Sequence, residues 1–344
     1  MQSLATRFVL EEMGHKVYYV DYWPNYHKEK YALFSFSKFS KLNWPQKVKY
    51  LHQLLKYYKS KKRRIESFES FFDIYIYPYC RSVDDDYDVI IYGSDQIWRK
   101  QSAIGAYNSV YFGKNELKAK HHISYAASMG ILPDNETDKE IVKELVSHLD
   151  KISVREEGLR RLLLSLGCKD VTLSLDPTLL LSAEEWDRHL PVEPYRGPGY
   201  VLVYLLTTNP FDINEIKKFA DSKKLKLIIL HGYAMAKETK TNIISAGPYE
   251  FIRLIQNAEY VFSASFHGLA FSIIFGKQVF VSFKNNSDRA SSLLDQLGLS
   301  DRLLPQKSKV PSNMPLIDFD DIRKKLKELR KKSLYGLTND LMCK

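Results

Sequence analysis

The stretch YVFSASFHGLAFSIIFG, residues 260–276, decides the fold. Residues 260–263 are aromatic, β-branched or small and read as a short strand. Residues 267–275 are apolar almost throughout and read as a buried helix, and QVFVS at 278–282 reads as a second strand. Strand, helix and strand in close succession form the crossover unit of a parallel sheet. The same alternation extends outward from it. Strands are expected at 200–206 and 226–231, with helices at 212–222, 248–258 and 290–297. In the first half, strands at 88–92, 122–126 and 151–154 alternate with helices at 138–148 and 156–166. The chain opens on a helix over 3–13, ended by Gly14, followed by a strand over 16–21.

The Pro- and Gly-bearing segment 191–199 suits a linker between two such series. The expected fold class is therefore α/β, with two Rossmann-like units facing a cleft and ligands held at the carboxyl ends of strands. Residues 1–190 form the first unit, interrupted by an insertion at 23–80. Residues 191–310 form the second, and 311–344 a C-terminal helix, over 317–332, with a tail. The length of 344 residues suits two bodies of ordinary size.

Composition excludes several classes. Apolar residues make up 44% of the chain but form no run of about 18, so no membrane span is expected. Met1 to Arg7 lacks a signal-peptide pattern, which points to the cytoplasm. Cys80, Cys168 and Cys343 are scattered and odd in number, giving neither a disulfide framework nor a zinc site. The net charge of +10 is local, because positions 38–64 hold ten Lys or Arg and no Asp or Glu. A chain otherwise near balance lacks the diffuse basic surface that binds nucleic acid. Within the insertion, Val48, Leu51, Leu54, Leu55 and Tyr58 share one helix face and lysines crowd the other. That face either packs on the first unit, the simpler expectation, or rests on anionic lipid at the inner face of a membrane.

Four strand ends carry candidate chemistry. After the strand at 88–92, the residues YGSDQIW at 92–98 offer a carboxylate in Asp95 and a flat wall in Trp98, or else an ordinary Asx turn. In SFHG, His267 and Gly268 open the apolar helix, where free backbone N–H groups attract an anion and an imidazole serves as acid or base near neutral pH. In ISVRE at 152–156, Arg155 either grips a phosphate or carboxylate or forms a surface salt bridge with Glu156 or Glu157. In DPT at 176–178, Asp176 reads as a turn cap. Arg289 is a second candidate cation, though a surface position is the expectation for it.

Taken in order, GSDQIW, SYAASMG at 124–130, ISVRE, DPT and SFHG resemble the polysaccharide pyruvyl transferase family, over roughly residues 3–304. The resemblance implies a glycosyltransferase-B-like pair of Rossmann domains and no metal or other cofactor. It also implies phosphoenolpyruvate as co-substrate and two sugar hydroxyls that add to its carbon 2, giving a cyclic ketal and phosphate. The acceptor would be a sugar or lipid-linked oligosaccharide of a cell-surface polysaccharide. By position, His267 resembles the general acid, and Asp95 an acidic residue that orients or deprotonates the acceptor. Arg155 resembles the donor-binding arginine, with Ser265, Gly268 and Arg289 beside it; Ser94, Gln96 and Trp98 fall on the acceptor side. The chain departs from the pattern in two places. Ser265 stands where some members carry arginine, and the first strand with its glycine-rich loop is expected to be missing. Two other readings remain: a nucleotide-sugar-dependent glycosyltransferase of the same fold, and a non-catalytic carbohydrate- or membrane-binding relative.

Overall fold

The computed structural model describes residues 1–26, 33–114, 117–206, 208–232, 238–284, 288–311 and 313–342. Cys343 and positions 27–32 of the insertion lie outside the described residues. The first half runs α1 (Gln2–Glu12), β1 (Tyr19–Val20), α2 (Phe36–Ser40), α3 (Trp44–Tyr75), β2 (Cys80–Arg81), β3 (Asp86–Tyr92) and β4 (Lys118–Ser124). It continues with α4 (Glu136–Val146), β5 (Ser153–Val154), α5 (Glu157–Ser165), β6 (Thr172–Leu173) and α6 (Ala183–His189). The second half runs β7 (Tyr200–Leu205), α7 (Ile213–Ser222), β8 (Lys226–His231), β9 (Asn242–Ile243), α8 (Pro248–Gln256) and β10 (Tyr260–Ser263). It ends with α9 (Phe266–Ile274), β11 (Gln278–Val281), α10 (Asp288–Leu297) and α11 (Phe319–Leu341).

Every pairing between these strands is parallel, as the alternation requires. In the second half the strand order is β11-β10-β7-β8-β9. The run YVLVYL of β7 is buried almost throughout because β7 lies inside a sheet covered on both faces. In the first half β1 pairs with β2, β3 with β4 and β5 with β6. Single bridges, Ile123 to Lys151 and Ala127 to Val154, continue this layer from β4 to β5. The start of β4 precedes the expected position 122 because its lysines alternate outward, so KAKHH reads as polar rather than as strand.

One apolar core spans both halves. Leu4, Ala5 and Phe8 of α1, Leu202 of β7, Leu269 and Phe271 of α9 and Leu337 of α11 belong to the same buried cluster. The helix α9 is apolar on all sides because all of it but His267 is buried. The C-terminal helix does more than cap one unit. It ends at Leu341 rather than at 332, and Arg330 donates to the carbonyl oxygens of Leu179 and Leu181 at 2.6 and 2.7 Å. Ser333 accepts the Leu175 N–H at 3.0 Å. Cys80 and Cys168 are free thiols.

The insertion corrects one expectation. Its helix α3 runs for 32 residues, started by a reciprocal capping box between Asn43 and Gln46 with Pro45 in the first turn. Its inner face packs Tyr50 against Phe34 and Phe39 and buries Phe71. Val48, Leu51, Leu55 and Tyr58, expected to pack inward, are 52, 41, 77 and 42% exposed. Of the expected face only Leu54 is half-buried.

Candidate active site

Six ionisable side chains from the two halves meet at the carboxyl ends of the strands. Asp95 stands in the turn after β3, Arg155 and Glu156 follow β5, and Asp176 lies beyond β6. The second half contributes His267 in the first turn of α9 and Arg289 in the first turn of α10. At the centre, Arg155 donates to Asp176 with both side chains buried, 2% and 0% exposed. The same guanidinium reaches Asp95 at 3.4 Å and Glu156 at 4.0 Å. Asp176 is thus more than the turn cap read from sequence. Its Oδ1 does accept from the Thr178 N–H and hydroxyl, at 3.0 and 2.7 Å. Its Oδ2 takes Arg155 and the Gln2 side-chain amide and lies 3.9 Å from His267 Nε2.

Burial opposes every charge here, and the partners decide the outcome. Burial pushes the Asp176 carboxyl up, but Arg155, His267 and two hydrogen bonds from Thr178 outweigh it and hold the carboxyl below its usual range. Asp95 behaves likewise: enclosure raises it, while Arg155, His267 and Arg289 bring it down to about 2. The Asp95 side chain keeps 65% of its surface accessible, so it stands at the lip of the cluster and solvent weakens its pairings. Glu156 goes the other way. Burial lifts its carboxyl above the ordinary value despite Arg155 and a hydrogen bond from Ser128. Burial also depresses His267, against the pull of Asp176 and Asp95, which favours the neutral imidazole.

Two features suit an anion. The Ser265 side chain, at the N-cap of α9, makes no cap hydrogen bond, so the N-terminal N–H groups keep their affinity for negative charge. Phe266, the first residue of that helix, has two guanidiniums near its ring, with Arg155 Cζ 5.0 Å and Arg289 Cζ 5.6 Å from the ring centroid. Arg155 is committed to Asp176, whereas Arg289 holds Asp95 and Glu156 only at 3.9 Å. Burial and then the neighbouring Arg155 push Arg289 down, an electrostatic cost that an anion would relieve. His267 Nε2 is buried without a hydrogen-bond partner among the described residues, so it is free to bond a ligand oxygen.

The structure therefore gathers Asp95, Arg155, His267 and Arg289, with Ser265 and Gly268 on the same helix start. It also corrects several expectations. Arg155 is no surface salt bridge, and Arg289, expected at the surface, has an 18% exposed side chain. Trp98 cannot be an acceptor wall, since it is fully buried, stacks on Phe112 at 4.9 Å and donates its indole N–H to the Tyr111 carbonyl. Ser94 is buried with no partner for its hydroxyl among the described residues, and Gln96 lies against Gly130. Asp176 and Glu156 are the residues sequence reasoning missed. DPT and the RE of ISVRE were visible, but nothing in a local pattern shows that two turns share one buried pair. Glu157, the other candidate partner of Arg155, instead holds Arg160 and Arg161 at 3.3 and 3.5 Å.

Gly268 explains how α9 packs so closely on its strand. A Cβ there would collide with the Ser263 hydroxyl and lie 3.1 Å from the Tyr204 ring. Gly268→Ala is therefore expected to cost about 1–3 kcal/mol by overpacking. Urea denaturation reads this directly, and an unshifted midpoint would show that the helix start can move at no cost.

An α/β chain with parallel sheets and a helix start beside two arginines offers a place where an anion would be favoured. Comparison narrows this: the family model described as polysaccharide pyruvyl transferase matches residues 1–286. The chain belongs to that family, whose members are transferases of polysaccharide biosynthesis. No curated protein sequence matches it. Among solved structures it is similar to UDP-GlcNAc 2-epimerase from Neisseria meningitidis bound to UDP-GlcNAc. That match has 12% identity and a TM-score of 0.44, and covers 99% of this chain and 94% of that one. It is also similar to the glycosyltransferase SnogD from Streptomyces nogalater, with 13% identity, a TM-score of 0.37 and coverage of 96% and 90%.

Proposed function

We propose that this chain transfers the pyruvyl group of phosphoenolpyruvate to two hydroxyls of a sugar in a polysaccharide precursor, as a cyclic ketal. The observation that carries this reading is the buried His267 Nε2, without a hydrogen-bond partner among the described residues, at the start of α9, with the Arg155 and Arg289 guanidiniums both near the Phe266 ring. The donor presents a phosphate and a carboxylate close together. Arg289 and the N–H groups of α9 suit one of these, and Arg155 is in reach of the other only through the face it does not give to Asp176. No metal or prosthetic group is required by this chemistry.

His267, protonated once the donor's negative charge lies beside it, gives its proton to carbon 3, turning the methylene into a methyl group. Positive charge develops at carbon 2, and a sugar hydroxyl adds there and returns a proton to the histidine. The second hydroxyl displaces phosphate from the same carbon, and its proton leaves with the phosphate. Asp95, ionised and exposed at the lip, is suited to orient a hydroxyl.

Thermal-shift titration provides a first test. Phosphoenolpyruvate at 100 times its Kd is expected to stabilise the fold by about 2.7 kcal/mol, and Arg289→Ala is expected to abolish most of that shift. Stabilisation by uridine or guanosine diphosphate sugars alone would overturn the pyruvyl reading.

A further inference from the structure

The first half of α3 carries five exposed apolar side chains: Trp44, Val48, Leu51, Leu55 and Tyr58, between 41 and 77% exposed. At 3.6 residues per turn their spacing of four, three, four and three keeps them within about 80° of the helix circumference. The stripe is therefore continuous. Lys62, the next position along it, is 55% exposed at its side chain. One flank carries the exposed Lys49, Lys56, Lys59 and Arg63. The opposite side of the helix is occupied by the protein itself, with Lys61 donating to the Leu33 carbonyl at 2.7 Å and Arg64 to that of His231 at 3.5 Å.

We propose that α3 docks this chain on an anionic lipid surface, with Trp44, Val48, Leu51, Leu55 and Tyr58 in the headgroup boundary and the flanking lysines on lipid phosphates. An apolar stripe of five large residues has no reason to face bulk water, and a stripe bordered by cations matches a surface that is apolar inside and negative at its rim. The charge pattern argues against a second copy as occupant. Two such helices face to face would bring like-charged rows together, and positions 38–64 offer no carboxylate to pair them. Among the described residues no helix is long and apolar enough to cross a membrane, so the contact proposed is peripheral.

Docking this helix would also fix the cleft. Its second half packs on the second unit, with Phe71 and Tyr75 against Tyr249 at 5.7 and 6.2 Å. Arg64 meets the carboxyl end of β8. A lipid surface held by the first half of α3 would thus sit at a set distance from both units, as an acceptor tethered to lipid needs. This last clause rests on the proposed transfer; the docking itself does not.

The test is vesicle sedimentation of the full chain. With vesicles of equal parts phosphatidylglycerol and phosphatidylcholine in about 0.1 M salt, the protein is expected to pellet. It should stay in solution with phosphatidylcholine alone, and pelleting should weaken at about 1 M salt, where the Debye length is about 3 Å. The double variant Leu51→Ser with Leu55→Ser, and the triple variant Lys56→Gln, Lys59→Gln and Arg63→Gln, should each bind at least about tenfold more weakly, a loss of about 1.4 kcal/mol. All the substituted side chains project from the fold, so the urea midpoint and phosphate release with a soluble acceptor should stay unchanged. Failure of docking and failure of transfer are therefore read separately. Absence of pelleting, equal pelleting by wild type and the leucine variant, or a dimer in sedimentation velocity that this variant abolishes would overturn the proposal.

Discussion

His267→Ala is expected to lower kcat for phosphate release by about 10²- to 10⁴-fold. Burial holds the imidazole pKa below its ordinary value, which favours the neutral ring before the donor binds. Its contribution comes with the proton. In the free protein that proton is gained only as pH falls through a value below about 6.5, so kcat/KM should rise as pH drops from 8 towards 6. Once a multiply charged anion lies beside the ring, the proton is held more tightly, so the inflection in kcat should stand at higher pH than that in kcat/KM. His267→Ala should remove the inflection assigned to this group from both profiles. Coincident inflections in the wild type, or a rate that climbs with pH, would assign His267 a role other than that of acid.

The fold was legible because its signals are local. The segment 260–276 reads strand, turn, helix from apolar content alone, and the structure has β10 over Tyr260–Ser263 and α9 over Phe266–Ile274. Strand ends are equally local, and four of them do hold Asp95, Arg155, Asp176 and His267. What sequence could not supply is which way side chains turn once the ends converge. Trp98 follows Asp95 by three positions, yet it drops into the core behind β3, stacked on Phe112, because an indole gains more from burial than from a lip exposed to water. Asp176 was read correctly as a cap but only for one of its two oxygens. The stripe on α3 was visible as amphipathicity, which says that a face is apolar and not what covers it. Lys62 and Glu66 illustrate the same point, since their i, i+4 contact at 3.7 Å is solvated and shapes nothing.

Asp176→Asn is the substitution expected to cost most in stability. It leaves the Arg155 guanidinium, 2% exposed, without its buried counter-charge, and breaking such a pair from one side costs about 3–5 kcal/mol. Asp95 at 3.4 Å and Glu156 at 4.0 Å remain as partial partners, which places the effect near the lower end of that range. Asp95→Asn provides the contrast. It removes a carboxylate from the same arginine, but one with 65% of its surface accessible, so screening should limit the loss to about 1 kcal/mol or less. The pH dependence separates a charge effect from a packing effect. Because folding depresses the Asp176 pKa, the ionised group contributes stability above its unfolded value of about 3.9. That contribution is lost as pH falls further, through the depressed value in the folded state. The gap in urea stability between wild type and Asp176→Asn should accordingly be full at pH 7 and narrow only below about pH 4. A gap that persists unchanged into acid would mean that the amide disturbs the Thr178 turn rather than the ion pair. A gap no larger than that of Asp95→Asn would mean that Arg155 finds another counter-charge.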